Sequence, residues 1–236
     1  MMVGKMSIID EILRGSARER YCVDWRDYEA SIISGDYRVL IEQLGHEVVC
    51  KLTPSTCAVY RVRHDEEDRI IKIAGFTTSC PDTLLKLNHV LREDKVLGRA
   101  QGVNGIPQLL DCYDLRGGLL SILESLVAGY GFERQGVVAI LKEYIEGNIM
   151  RDEEKIYNPE GQAFIQDTVQ TLHARGIASL DLQPKNIVIR AIGSLPFLLD
   201  LSYAVLRDKI SDSLFRRYVN TDLEDLEELM GNRRLY

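Results

Sequence analysis

Between Leu172 and Ala204, three side chains able to bind a cation or take a proton sit against short apolar runs. The stretch begins Leu-His-Ala-Arg-Gly-Ile-Ala-Ser-Leu-Asp-Leu-Gln-Pro-Lys-Asn-Ile-Val-Ile and ends Phe-Leu-Leu-Asp-Leu-Ser-Tyr-Ala. Gly176 is placed to stop a helix, and the loop after it carries Asp181 and Asn186. A hairpin-like pair of apolar runs comes next, with Asp200 directly after the second. Two carboxylates and a carboxamide beside buried strands are costly to a plain core, which would have to desolvate them. The cluster reads as the catalytic and metal-holding half of a phosphoryl-transfer site. Taken singly, Asp181 would pass as a turn residue and Asp200 as the cap of a strand.

The rest of the chain is organised around that stretch. Ile8, Ile9, Ile12 and Leu13 before Gly15, then Tyr37, Leu40, Ile41 and Leu44 before Gly45, predict short helices in residues 1–45. This extension is expected to brace the lobe that begins at His46, with docking of a partner as the alternative. From His46 the period shortens. His46–Leu52, Cys57–His64 and Arg69–Ala74 predict an antiparallel meander with turns at Thr53–Thr56 and Asp65–Asp68. Alternation sets Lys72 on the face opposite Ile71 and Ile73, where solvent exposure is the simplest reading. Pro81-Asp82 opens a helix striped by Leu84, Leu87, Val90, Leu91 and Leu97, with Glu93 at the edge of the stripe.

Gln108–Leu115 and Val137–Leu141 read as strands, whereas Leu119–Val127 fits a strand or a buried helix equally well. Lys142–Gly147 then forms a polar link. Asn158-Pro159-Glu160 starts a helix whose buried face is Ile165, Val169 and Leu172. Thr221 and Glu224 have capping-box spacing for a last helix through Leu223, Leu226 and Leu229.

Composition narrows the function. A chain of 236 residues, 45% hydrophobic and 28% charged, fits a globular protein of one large domain or two small lobes. A net charge of -7 gives no electrostatic case for nucleic acid or an anionic membrane as the main partner. Five scattered cysteines without CxxC pairing argue against a disulfide framework or structural zinc. The four histidines lack ligand spacing. With no signal-peptide pattern and no apolar run of membrane-spanning length, a cytoplasmic location and no transmembrane segment are expected.

Together, Lys72, Glu93, Lys142–Gly147, Asp181, Asn186 and Asp200 resemble, in order and approximate spacing, the marks of the protein-kinase-like superfamily over residues 46–230. The resemblance implies an α+β, two-lobed protein-kinase-like fold. Its N-terminal lobe (46–146) would hold an antiparallel sheet and one long helix, and its reduced, mainly helical C-terminal lobe would span 147–236. Lys72 would hold the α- and β-phosphates of ATP, with Glu93 as its helix partner. Ser55, Thr56 and Val59 would lie over the phosphates, and Glu143, Tyr144 and Ile145 would bind adenine through the backbone. Asp181 would be the catalytic base, and Asn186 and Asp200 would hold Mg²⁺. Asp222, in an Asp-Leu-x-x-Leu-like pattern, would buttress the catalytic loop.

Departures from the family pattern refine this expectation. The turn Leu52–Val59 contains Pro54 and no glycine, Ser179 stands where the family has histidine, and Gln183 where Ser/Thr kinases carry lysine. Lys185 lies nearby. The short stretch after Asp200 contains no Ala-Pro-Glu motif. It is similar to the compact atypical branches: the RIO kinases, the kinase of the KEOPS tRNA-modification assembly and the lipopolysaccharide-core sugar kinases. The implied activity is a small atypical serine/threonine protein kinase or kinase-like ATPase acting on an unidentified hydroxyl acceptor. The alternatives are a sugar or lipid-linked-sugar kinase, and a pseudokinase scaffold.

Overall fold

The computed structural model describes residues 20–21, 31–32, 34–52, 57–77, 81–115, 135–190 and 193–231. Their order is β1 (Arg20–Tyr21), α1 (Arg38–Gln43), β2 (Glu47–Leu52), β3 (Ala58–His64), β4 (Glu67–Thr77), α2 (Pro81–Arg99), β5 (Leu109–Leu115) and β6 (Gln135–Glu143). Then come β7 (Gly147–Ile149), α3 (Pro159–Ala174), β8 (Ile177–Ala178), β9 (Ile187–Arg190), β10 (Pro196–Leu198), β11 (Val205–Leu206) and α4 (Asp212–Leu229). The architecture is α+β. Two compact units divide the chain: residues through Val90 with Leu110–Leu141, and Leu91–Leu109 with Lys142 onward. The division passes through α2. No described helix is long and apolar enough to cross a membrane.

The first unit is built on a six-stranded sheet ordered β1-β5-β6-β4-β3-β2. β2–β3 and β3–β4 are antiparallel, as the meander predicts, and β1 joins β5 in parallel. The β3–β4 hairpin pairs His64 with Glu67, so only Asp65 and Glu66 turn the chain, both at positive φ. Two consecutive left-handed residues match the right-handed twist of the strands. One sheet face packs Tyr60, Val62, Ile71, Ile73, Val137, Ala139 and Leu141 against Tyr37, Leu40 and Ile41 around α1. Tyr37 reinforces the contact. Its amide donates to Tyr60 Oη, and its own Oη accepts from the Gly75 amide. The part of the extension around α1 therefore braces the sheet. The earlier predicted helix, the turn with Ser55 and Thr56, and Leu119–Val127 lie outside the described residues.

In the second unit, Asn158 caps α3, its Oδ1 accepting from the Glu160 and Gly161 amides, with Pro159 in the first turn. Ile165, Val169 and Leu172 form its buried face, and Gly176 comes after it at φ 74°. Two small sheets hold the loops, one ordered β10-β9-β7 and the other pairing β11 with β8. From residue 147 onward, α3 and α4 hold more residues than the short strands that carry the loops. The start of the last helix differs from expectation. It starts at Asp212, with Ser211 accepting from the Leu214 amide as its cap. Thr221 is internal to that helix, its hydroxyl bonded back to the Arg217 carbonyl. The capping-box spacing there is coincidental, because Ser211 already supplies the cap.

Candidate active site

In the first unit, Lys72 lies on β4 directly opposite Val59 of β3. Paired residues share a sheet face, and here it is the face turned away from the Tyr60–Ile71–Ile73 cluster. Lys72 is only 3% exposed, so solvent display does not account for it. Val59 is half-buried beside it.

The second unit holds the remaining site residues. β8 ends at Ala178, and the chain turns through Ser179 and Asp181, both at positive φ (61° and 53°). Left-handed backbone costs a side-chain-bearing residue about 1–2 kcal/mol, although aspartate bears it better than most. The loop is held there from below. The Asp222 carboxylate, 1% exposed on α4, accepts from the Ser179 amide at 2.9 Å and the Leu180 amide at 2.8 Å. His173 Nε2 lies 2.9 Å from Asp222 Oδ2 and so carries the proton on that nitrogen. Asp222 therefore buttresses the loop, as its motif implies. The contribution of His173 has no sequence signal, since nothing in its spacing relates it to a residue on α4.

Beyond the turn, Asn186 Nδ2 donates to Asp181 Oδ2 at 2.8 Å and to the Asp181 carbonyl at 3.0 Å. Two acceptors on one side identify the nitrogen end of the carboxamide, so Asn186 Oδ1 faces the other way. The exposed Gln183 donates to Asp181 Oδ1 at 2.6 Å. Each carboxylate oxygen still has a lone pair left to accept an incoming hydroxyl. Lys185 is exposed in the short 3₁₀ turn Pro184–Asn186. The Leu199 amide donates to the Asn186 carbonyl at 2.8 Å, which brings Asp200 alongside Asn186. Asp200 Oδ1 accepts from the Ser202 amide at 2.9 Å, which fixes that carboxylate.

Glu93 is fully buried on α2, and its Oε1 accepts from Lys142 Nζ at 2.5 Å. Lys142 also donates to the Leu199 carbonyl at 2.8 Å. Motif order pairs Glu93 with Lys72 and makes Lys142 the start of a linker, so this ion pair escapes a reading of the sequence alone. The signal that could have found it is alternation along β6: Val137, Ala139 and Leu141 line the core, which turns Lys142 to the opposite face. In the link itself, Ile145 is buried, Tyr144 is half-buried, and Glu143 pairs with Gln108 through backbone and side chain.

The acidic residues near the loop come from α4, since the loop itself carries one aspartate, Asp181, and one lysine, Lys185. Burial pushes the Asp225 carboxyl above its ordinary value, and the charges of Asp222, Glu228 and Asp181 push the same way. A phosphorylated substrate reaching this loop would need cations to offset that field. Among the described residues no group of three or more His, Cys, Asp and Glu side chains is arranged to hold a metal ion. Asp200 with the outward Asn186 Oδ1 is a set of hard oxygens. It suits Mg²⁺, which accepts few protein ligands when phosphate and water complete its shell. No protein-family model matches the sequence, and no curated protein matches it either.

Proposed function

We propose that this chain is an ATP- and Mg²⁺-dependent phosphotransferase of protein-kinase-like, two-lobed fold. In this reading it is a small atypical serine/threonine protein kinase or kinase-like ATPase. The observation that carries the reading is the linkage Asp181–Asn186–Leu199–Asp200, in which a strained base and two oxygen ligands are hydrogen-bonded into one unit. Asp181 orients the acceptor hydroxyl and takes its proton as the acceptor oxygen bonds to the γ-phosphorus and the bond to the β-phosphate oxygen breaks. The buried Lys72 ammonium neutralises the α- and β-phosphates. Asn186 and Asp200 would hold Mg²⁺, which supplies positive charge to the phosphate oxygens as charge shifts between them. Gln183, in place of a cationic residue, fixes Asp181 and leaves charge neutralisation to Lys72 and the metal.

The test is ATP turnover and autophosphorylation with Mg²⁺, comparing wild type with Asp181→Ala and Asp200→Ala. Turnover in the wild type that falls by about 10²–10⁴-fold in Asp181→Ala and is lost in Asp200→Ala is the expected result. A wild type that neither turns over ATP nor is stabilised by it in a thermal-shift assay would sink the proposal and leave a binding scaffold.

A further inference from the structure

We infer that Lys142 is a positioning residue for the metal ligands, an inference that rests on the function proposed above. Its ammonium sits between two acceptors, Glu93 Oε1 at 2.5 Å and the Leu199 carbonyl at 2.8 Å, with its side chain 8% exposed. Leu199 is the residue on which the candidate metal site is registered. Its amide is bonded to the Asn186 carbonyl, and its carbonyl leads directly into Asp200. Lys142 thus fixes one side of Leu199 and Asn186 fixes the other, so Asn186 and Asp200 are held in one geometry. Glu93 in turn holds the ammonium. A neutral side chain at position 142 would leave the Leu199 carbonyl without its charged donor and let the Asp200 backbone rotate.

The arrangement also gives Glu93 a role of its own in the second unit. Burying a carboxylate is costly unless a counter-charge and hydrogen bonds accompany it. Lys142 contributes a counter-charge and a hydrogen bond to Glu93, and the two together form a support for the ligands. Partners that orient metal ligands in this way typically change metal affinity or activity by about 10–100-fold when removed.

Equilibrium binding of Mn²⁺, a spectroscopic stand-in for Mg²⁺, tests the role in the presence of a non-hydrolysable ATP analogue. Loss of the free-Mn²⁺ electron paramagnetic resonance signal is the readout. Lys142→Met alone would also take a cation from the buried Glu93 carboxylate, so it is made with Glu93→Gln and compared with Glu93→Gln by itself. The double variant is expected to bind Mn²⁺ about 10-fold or more weakly than Glu93→Gln. Lys142→Arg, which keeps charge and donors, is expected to stay close to wild type. Equal affinity of the double variant and Glu93→Gln overturns the inference, as does a Lys142→Arg protein as weak as the double variant. A wild type that binds no Mn²⁺–nucleotide overturns the proposed function itself, and this inference with it. If the double variant does not fold, the ¹⁵Nζ resonance of Lys142 in the wild-type nucleotide complex decides. That resonance, identified by its absence from Lys142→Arg, should shift when Mg²⁺ is added, and an unmoved signal overturns the inference.

Discussion

Asp222 ties the loop to α4 through several hydrogen bonds from one side chain. One carboxylate satisfies two backbone amides and an imidazole N–H at a place almost closed to water. Hydrogen bonds to a charged group are worth about 1.5–3 kcal/mol each, and a buried donor left without its partner loses that and its hydration. Asp222→Ala is therefore expected to lower unfolding free energy by ~2–4 kcal/mol in urea titrations and to speed amide exchange at Leu180. The same two measurements on Asp222→Asn should show a smaller change. Its carboxamide keeps one acceptor oxygen but presents a donor to the other donors. An Asp222→Ala protein of wild-type stability, with Leu180 still protected, would mean that α4 packing alone holds the loop. The positive φ at Ser179 and Asp181 makes that outcome hard to reconcile with the geometry, because strained backbone persists only where its surroundings over-determine it.

Among the elements, the β3–β4 hairpin carries a sharper prediction. Its two-residue turn requires left-handed backbone at both Asp65 and Glu66, and the second position is most easily filled by glycine. Glu66 gains nothing evident there, being exposed at the tip. Glu66→Gly should raise stability by ~1 kcal/mol, the strain removed exceeding the extra chain entropy lost. A lower thermal midpoint in Glu66→Gly would refute this account of the turn. The hairpin also shows which parts of the fold are readable in the sequence. Alternating Val, Ile and Tyr mark the strands to within a few residues, because period-two burial leaves a direct trace in composition. Asn158-Pro159 and Gly176 mark both ends of α3, because cap chemistry is local. The start of α4 is not readable in this way, because Thr221 and Glu224 imitate a cap inside a helix that Ser211 has already opened. Local motifs do not report what precedes them.

At the scale of the whole molecule, the chain order of Asp181, Asn186 and Asp200 and the motif around Asp222 are visible in the sequence, whereas the pairings of Lys142 and His173 are not. Lys142 meets Glu93 and Leu199 across forty-nine and fifty-seven residues, and His173 meets Asp222 across forty-nine. Such pairs depend on tertiary placement, of which one sequence holds little trace. The same applies to the groups that set the acid response. Burial holds the His46 imidazole below its ordinary value of 6.5, with the His64 ring 4.9 Å away adding to the effect and Asp111 opposing it. His46 Nε2 meets Tyr113 Oη at 3.0 Å, and its Nδ1 is buried without a hydrogen-bond partner. The unfolded chain takes up this proton near pH 6.5, and the folded chain only at lower pH. Between those two values the unfolded state binds more protons. Stability is therefore complete above the unfolded value, falls as the pH drops below it, and levels off once the folded imidazole is protonated. The slope from one such group is at most about 1.4 kcal/mol per pH unit. A second, shallower decline is expected between 3.8 and about 2, where Asp36 and Asp208 lose their pairs with Arg38 and Arg99. Both carboxylates are well exposed, so solvent screening keeps this limb small. Thermal midpoints of wild type and His46→Phe, taken from about pH 7.5 to about pH 5.5, separate the first limb from other titrations. The variant should start lower, having lost the bond to Tyr113, and should decline less steeply than wild type. Parallel slopes in the two proteins would assign the mild-acid loss to other groups.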